Sequence, residues 1–275
     1  MSEQKGPIGI FDSGYGGLTV FKEIVKVLPE YDYIYLGDNA RVPYGTRSFE
    51  TVYKYTWECV QELFELGCSL VILACNTASA KALRSIQQND LPRLNGLHKV
   101  LGVIRPTAEV VGSYTKTGNV GILATQGTVA SLSYVIEIQK FFPEINVFQE
   151  ACPMWVPLVE NNEIDSPAAD YLVKKHLDNL FNQNPGIDTL VLACTHYPLL
   201  INKIRQFTNP ATNIISQGEL VAASLTDYLH RHPEVEALCS KNGGQDFFTT
   251  ESCSDFDQKA ALFLGRGVSS RQLVF

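Results

Sequence analysis

Short, continuously apolar runs recur along the chain, each about the length of one strand. They lie at residues 7–11, 33–36, 70–74 and 100–104, in runs that start at Val120 and Thr189, and again at 214–215 and 247–250. A run that is apolar at every position, rather than at alternate ones, predicts a strand buried on both faces, the pattern of a parallel sheet. Between these runs the apolar residues change to helical spacing. Val52, Tyr55, Val60, Leu63 and Phe64 fall on one face of a helix over 48–66, with Trp57 and Cys59 assigned to the core. Further helices are predicted over 18–27, 78–85, 166–182, 219–230 and 254–264, with another beginning over 107–111. Strands alternating with helices give an α/β fold with mainly parallel sheets.

Two stretches share one grammar. Leu-Val-Ile-Leu-Ala-Cys75-Asn76-Thr77 and Leu-Val-Leu-Ala-Cys194-Thr195-His196 each pass from a buried strand through Ala-Cys into polar, helix-starting residues. A second pair echoes in the same way. Gly9-Ile-Phe-Asp12-Ser13-Gly14 and Gly121-Ile-Leu-Ala-Thr125-Gln-Gly127-Thr128 are strand ends that close on a hydroxyl residue and a glycine. The two pairs are separated by similar intervals. This reads as a duplication into two pseudo-symmetric open α/β domains. Each supplies one hydroxyl-glycine loop and one Ala-Cys loop, and the thiols converge on the cleft between them. Ligands of open α/β sheets bind at the carboxyl ends of strands, and interdomain clefts are favoured sites.

Composition narrows the function classes. An apolar fraction of 45% and a charged fraction of 19% are ordinary for a globular chain. The net charge of −7, with no basic face in the pattern, argues against a nucleic-acid partner. Seven cysteines, at 59, 68, 75, 152, 194, 239 and 253, include no C-x-x-C pair, so no metal site is expected. Residues 1–6 are polar and no apolar run reaches the length of a membrane span. The expectation is a cytoplasmic protein with free thiols and no membrane partner.

Two thiols facing each other suit paired acid–base work. A helix start lowers a thiol pKa from about 8.5. A thiolate on one side and a thiol on the other can take a proton from one face of a carbon and return one to the opposite face, without a cofactor. Hydroxyls and N–H groups of Ser13, Asn76, Thr77, Thr125, Thr128 and Thr195 suit carboxylate and ammonium groups, and can steady the charge formed when an α-proton leaves. His196, two residues past Cys194, can polarise a nearby group. Taken alone, Asp12 reads as a helix cap, the loop over 37–45 as an ordinary turn, Glu160 as a solvated helix end, and His176 as a residue of a polar helix face. His230 and His232 read as a solvated helix terminus. A non-catalytic two-lobed amino-acid-binding protein remains an alternative at this point.

Seven segments carry a resemblance: GIFDSGYGGLTV (9–20), YLGDNARVPYG (35–45), LVILACNTASA (70–80), GILATQGT (121–128), ACPMWVPLVE (151–160), LVLACTHYPLL (190–200) and the tail over 247–266. Together they resemble the glutamate racemase branch of the aspartate/glutamate racemase superfamily, in that family's order and over most of the chain. The resemblance implies cofactor-independent interconversion of L- and D-glutamate, supplying D-glutamate for peptidoglycan, with aspartate racemisation as the nearest rival. It implies Cys75 and Cys194 as the bases for the D- and L-enantiomers. Asp12 would assist Cys75, and Glu160 with His196 would assist Cys194. Asp12, Ser13, Tyr44, Gly45, Asn76, Thr77, Thr195 and His196 would hold the substrate, and Asp38 matches a further family carboxylate. A homodimer is expected. The short segment before Pro7 carries no activator-binding extension of the kind found in some relatives, and Arg105 and Thr107 depart from many members. The family architecture also implies that the tail after about Gly218 returns to the first half, giving domains 1–104 plus 219–275 and 105–218.

Overall fold

The protein is described here by a computed structural model covering residues 5–94 and 96–274. The polar opening expected over residues 1–4, and Asn95 of the loop over 89–96, lie outside the described residues.

The chain begins with β1 (Ile8–Asp12), α1 (Leu18–Val27), β2 (Tyr33–Gly37), α2 (Phe49–Glu65) and β3 (Leu70–Leu73). All three strands are buried at every position, as uninterrupted apolar runs require. Next come α3 (Asn76–Lys81), α4 (Leu83–Ser85) and β4 (Lys99–Gly102). The helix predicted over 78–85 therefore starts two residues earlier, because Cys75 caps it, and it is broken at Ala82. The strand predicted over 100–104 ends at Gly102. The following helix α5 (Ile104–Ala108) starts before Thr107, since Pro106 sits in its first turn, where a missing N–H costs nothing.

The second half runs β5 (Asn119–Ala124), α6 (Gln126–Ala130), α7 (Ser133–Phe141), β6 (Asn146–Ala151), α8 (Trp155–Glu160), α9 (Pro167–Gln183), β7 (Thr189–Ala193), α10 (Ile201–Gln206) and β8 (Asn213–Ile215). The chain then continues through α11 (Gln217–Arg231), α12 (Pro233–Glu236), β9 (Gln245–Thr249), α13 (Cys253–Leu264) and β10 (Ser270–Gln272). Strands β6 and β10 and helix α7 carry no sequence expectation above. The two strands lie at sheet edges and are only partly buried, so their polar residues mask them.

Among the described residues, ten strands form two parallel sheets, ordered β10-β9-β2-β1-β3-β4 and β6-β5-β7-β8. In each, the first strand of the half lies between the second and the third (β2-β1-β3-β4 and β6-β5-β7-β8). The same four-strand order thus occurs twice. Between β1 and β3, and again between β5 and β7, the connections leave in opposite directions. This is the switch point at which the carboxyl ends of open sheets take ligands. Strands β9 and β10, from the chain's last segment, extend the first sheet beyond β2. Helix α11 packs on α1.

His176 differs from its expectation. It is buried at 8% exposure, with Nδ1 2.7 Å from Glu150 Oε1 and its ring edge-on to Trp155. Ala169, Val173, His176, Leu177 and Leu180 are the buried positions of α9, so the residue lies on the apolar stripe and is satisfied there by a carboxylate. Cys59 is a core residue, as expected, Cys68 is buried as well, and His230 lies exposed near the end of its helix.

Candidate active site

Asp12 is the last residue of β1 and is fully buried. Its Oδ2 accepts from Gly14 N at 2.9 Å. Burial raises its pKa, while His196 and the loop N–H groups pull the other way. Cys75 follows β3 and caps α3. Its Sγ accepts from Ala78 N at 3.4 Å and lies 3.4 Å from Ser13 Oγ. Burial first, then the Asp12 charge, push the thiol up to about 12, against the hydrogen bonds from Ser13 and Ala78. Cys75 therefore holds its proton at neutral pH.

Cys194 follows β7, the strand equivalent to β3. Its Sγ lies 4.0 Å from His196 Nδ1, and His196 Nε2 lies 2.8 Å from Glu160 Oε1. Burial works against charge on this imidazole, but Cys194 and Glu160 outweigh it and raise the pKa to about 10. His196 is thus an imidazolium held between a sulfur and a carboxylate. Glu160 reaches it from the last position of α8 and is not a freely solvated helix end. Trp155, at the start of α8, packs edge-on against Tyr197, which ties that helix to the residue after His196.

The two halves meet across this site. Thr195 Oγ1 donates to Asp12 Oδ1 at 3.5 Å, and Thr19 Oγ1 donates to Thr195 O at 2.9 Å. Gly16 allows the approach: a Cβ there would stand 2.3 Å from Thr195 Oγ1 and 2.4 Å from His196 Nδ1. On the other side, Thr77 Oγ1 is 2.9 Å from Thr125 Oγ1, Thr125 is 3.1 Å from Thr128, and Thr128 is 3.4 Å from Thr77. These three hydroxyls close a triangle between α3 and α6. Gly127 N donates to Gly45 O at 2.7 Å, a backbone link between the loop over 37–45 and the second half.

Two candidates are turned away from the thiols by their side chains. The Tyr44 ring is buried against Phe11 and Tyr55, and its hydroxyl donates to Asp38. Asp38 also takes Arg41 Nε at 2.7 Å and Thr250 Oγ1 at 2.9 Å, so this carboxylate braces the loop. The Asn76 amide is bonded to Gln217 and Tyr134. Only the backbone of Tyr44 and Asn76 is left to face a ligand. Thr19 and Phe263, whose ring stands edge-on to His196 at 5.4 Å, complete the site; both lie in segments that carry the resemblance, but neither side chain was singled out there.

Cys75 and Cys194 are each 6% exposed, so the site is closed over its sulfurs. Neither sulfur lines the cavities of about 430 and 740 Å³; Thr19 and Phe263 line the smaller one. Among the described residues no group of three or more His, Cys, Asp and Glu side chains is arranged to hold a metal ion. No helix of the described residues is long and apolar enough to cross a membrane.

Comparison with known proteins follows this geometry. The Asp/Glu/Hydantoin racemase family matches residues 8–224. A glutamate racemase from Geobacter metallireducens is 41% identical over 94% of this chain and 92% of its own length. The crystal structure of a glutamate racemase isoform from Bacillus anthracis superposes with a TM-score of 0.88 at 35% identity, covering 99% of this chain and 98% of that one. The Francisella tularensis glutamate racemase, solved in complex with D-glutamate, superposes with a TM-score of 0.85 at 29% identity, covering 100% and 98%.

Proposed function

Because the chain belongs to the Asp/Glu/Hydantoin racemase family, we infer that it interconverts L- and D-glutamate and supplies D-glutamate for peptidoglycan synthesis. The names of its full-length relatives support the glutamate substrate over aspartate. The observation that carries the mechanism is the placement of two buried thiols at equivalent strand ends of two sheets with one strand order.

In the L-to-D direction Cys194 acts as base. Its thiolate takes the α-proton, and the electron pair of the broken Cα–H bond passes into a carbanion stabilised by the substrate carboxylate. Cys75 S–H then gives its proton to the opposite face, and Cys75 is left as the thiolate. The D-to-L direction reverses each transfer. His196, cationic against Glu160, offsets charge on Cys194. Asp12 assists Cys75: a substrate ammonium beside Asp12 cancels the charge that pushes this thiol up, so Cys75 ionises more readily with substrate bound. Ser13, Thr195 and the Thr77, Thr125 and Thr128 hydroxyls, with the backbone of Tyr44, Gly45, Asn76 and Thr77, hold the carboxylates. Closure of the site around these groups strengthens every such interaction.

The same reading includes a division into domains 1–104 plus 219–275 and 105–218, a homodimeric assembly and a cytoplasmic location, with no nucleic-acid or membrane partner. Sedimentation of the purified protein tests the dimer. The reaction is tested by incubation with L-glutamate in D2O without added cofactor, following optical rotation and α-deuterium together. Rotation decaying to zero as deuterium enters Cα is expected. Retained rotation with no deuterium would overturn the reading, and racemisation of aspartate alone would correct the substrate.

A further inference from the structure

Asn76, Tyr134 and Gln217 close a ring of three hydrogen bonds. The Gln217 amide donates from Nε2 to the Tyr134 hydroxyl, that hydroxyl donates to Asn76 Oδ1 at 2.6 Å, and Asn76 Nδ2 donates back to Gln217 Oε1 at 2.7 Å. The Tyr134 hydroxyl both accepts and donates within the ring. The three residues are 2%, 0% and 3% exposed, so the ring works without competition from water. In such surroundings a closed hydrogen-bonded set is worth more than its separate members.

The three residues come from three distant parts of the chain. Asn76 adjoins Cys75 and opens α3, and Tyr134 lies on α7, which packs over the second sheet. Gln217 opens α11, directly after β8, where the chain leaves the second sheet for the first half. Gln217 Nε2 also donates to Val103 O at 3.0 Å and to Thr107 Oγ1 at 3.1 Å. Those residues form the other passage between the sheets, from β4 toward β5. A single side chain therefore fastens both passages to each other, to the helix capped by one thiol, and to the half that carries the other.

We propose that Gln217 is a positioning residue for the two-thiol reaction: through the Asn76–Tyr134 ring it fixes the separation of Cys75 from Cys194. This rests on the racemase reading above. It touches no substrate, and its effect belongs to the transfer steps. Both thiols must stand on opposite faces of one carbon, and an error of about 1 Å in such an arrangement costs about 10²-fold in rate. Substrate binding, through the loops at the strand ends, is left nearly as it was.

The test uses the full-length protein with Gln217→Met, which keeps length and apolar bulk, with Tyr134→Phe, which removes only the hydroxyl, and with the double variant. Thermal unfolding of each gives the folded fraction at assay temperature. The expected result is a fall in kcat of about 10²-fold for Gln217→Met, a smaller fall for Tyr134→Phe, and KM within about twofold of the parent. The double variant is expected to be no worse than Gln217→Met, because members of one ring do not add. Unchanged kcat in folded Gln217→Met would overturn the proposal. So would a loss confined to KM, a loss that only tracks the folded fraction, or strict additivity in the double variant. The parent protein is assayed beside them, and its failure to racemise glutamate would overturn the racemase reading instead.

Discussion

Glu160 holds His196 by Nε2 at 2.8 Å, while the Nδ1 side of the same ring faces Cys194 Sγ at 4.0 Å. One imidazole is thus shared between a carboxylate from α8 and a thiol from the end of β7. With Glu160→Gln the carboxylate charge disappears and one of the two groups that hold the pKa of His196 up at about 10 is lost, while Cys194 remains. The pKa of the imidazole falls, and at alkaline pH the variant's ring is protonated less fully than the parent's. We expect kcat/KM at pH 8 to fall about 10²-fold, with partial recovery toward pH 6 as the ring is protonated again. A variant profile parallel to the parent's would contradict the charge argument.

The same shift has a sign for stability. The folded pKa of His196 lies above the unfolded one, so its contribution is complete below about 6.5 and is lost as pH rises through about 10. Cys75 adds to the alkaline loss. Its thiol is pushed up to about 12, so the unfolded chain releases that proton first. The melting temperature should fall steadily between pH 7 and pH 10, and fall less in Glu160→Gln. A melting temperature that is flat across that range would refute the assignment.

In the proposed mechanism, replacement of either thiol removes one of two obligatory proton carriers. Cys75→Ser and Cys194→Ser are each expected to lower racemisation by about 10³-fold or more, with circular dichroism unchanged. Each site holds a small polar group in either variant. Full activity in one of them would end the two-base mechanism.

Exposure orders the thiols by reactivity. Six of the seven cysteines are buried and Cys253 is the half-buried exception. With iodoacetamide at pH 7.5, mass spectrometry should find Cys253 alkylated first, and Cys75 and Cys194 only slowly. Cys75 is slow for two reasons, since it is both covered and protonated. Early labelling of Cys75 would show that the site stands open in solution.

Gly16→Ala places a methyl group 2.3 Å from Thr195 Oγ1 and 2.4 Å from His196 Nδ1. The crowded groups are the active-site loop itself, so the strain is relieved at the expense of His196. A loss of about 1–3 kcal/mol in unfolding free energy together with a large fall in kcat is expected, measured by urea unfolding and a coupled assay. Activity at the parent level would mean that the loop gives way without consequence.

The apolar runs made the central strands legible, because β1, β2, β3 and β7 are buried on both faces and are polar at most at an end, as with Asp12 and Thr189. Cys75 and Cys194 were legible for the same reason: each is the first residue past such a run. Edge strand β6 was not, since Gln149 and Glu150 sit within it. His176 was misplaced although its spacing from Ala169 and Val173 put it on the buried stripe, because residue type was weighed above position. Taken alone Glu160 read as solvated; only the resemblance paired it with His196, and the fold places the two 2.8 Å apart. The side chain of Tyr44 is turned from the thiols by Asp38 of its own loop, but that of Asn76 points away for a reason no local window holds. Its partner Gln217 makes sense only once the sheets are in place. Gln217 has no motif, and 141 positions separate it from Asn76.

The recurrence of one strand order in two sheets bears on chirality. L- and D-glutamate are mirror images, and an uncatalysed mixture of the two rests at equal amounts. A catalyst made only of L-residues cannot contain a mirror plane; the nearest substitute open to it is a second copy of the same unit, turned to meet the first. In the proposed mechanism Cys75 and Cys194 are that substitute at the reacting carbon. The imperfection of the copy is visible in what surrounds them, with Asp12 and Ser13 beside one sulfur and His196 and Glu160 beside the other. Those unequal neighbours allow the forward and backward reactions to differ in maximal rate and half-saturation while their ratio, set by the mirror relation of the substrates, stays the same in both directions.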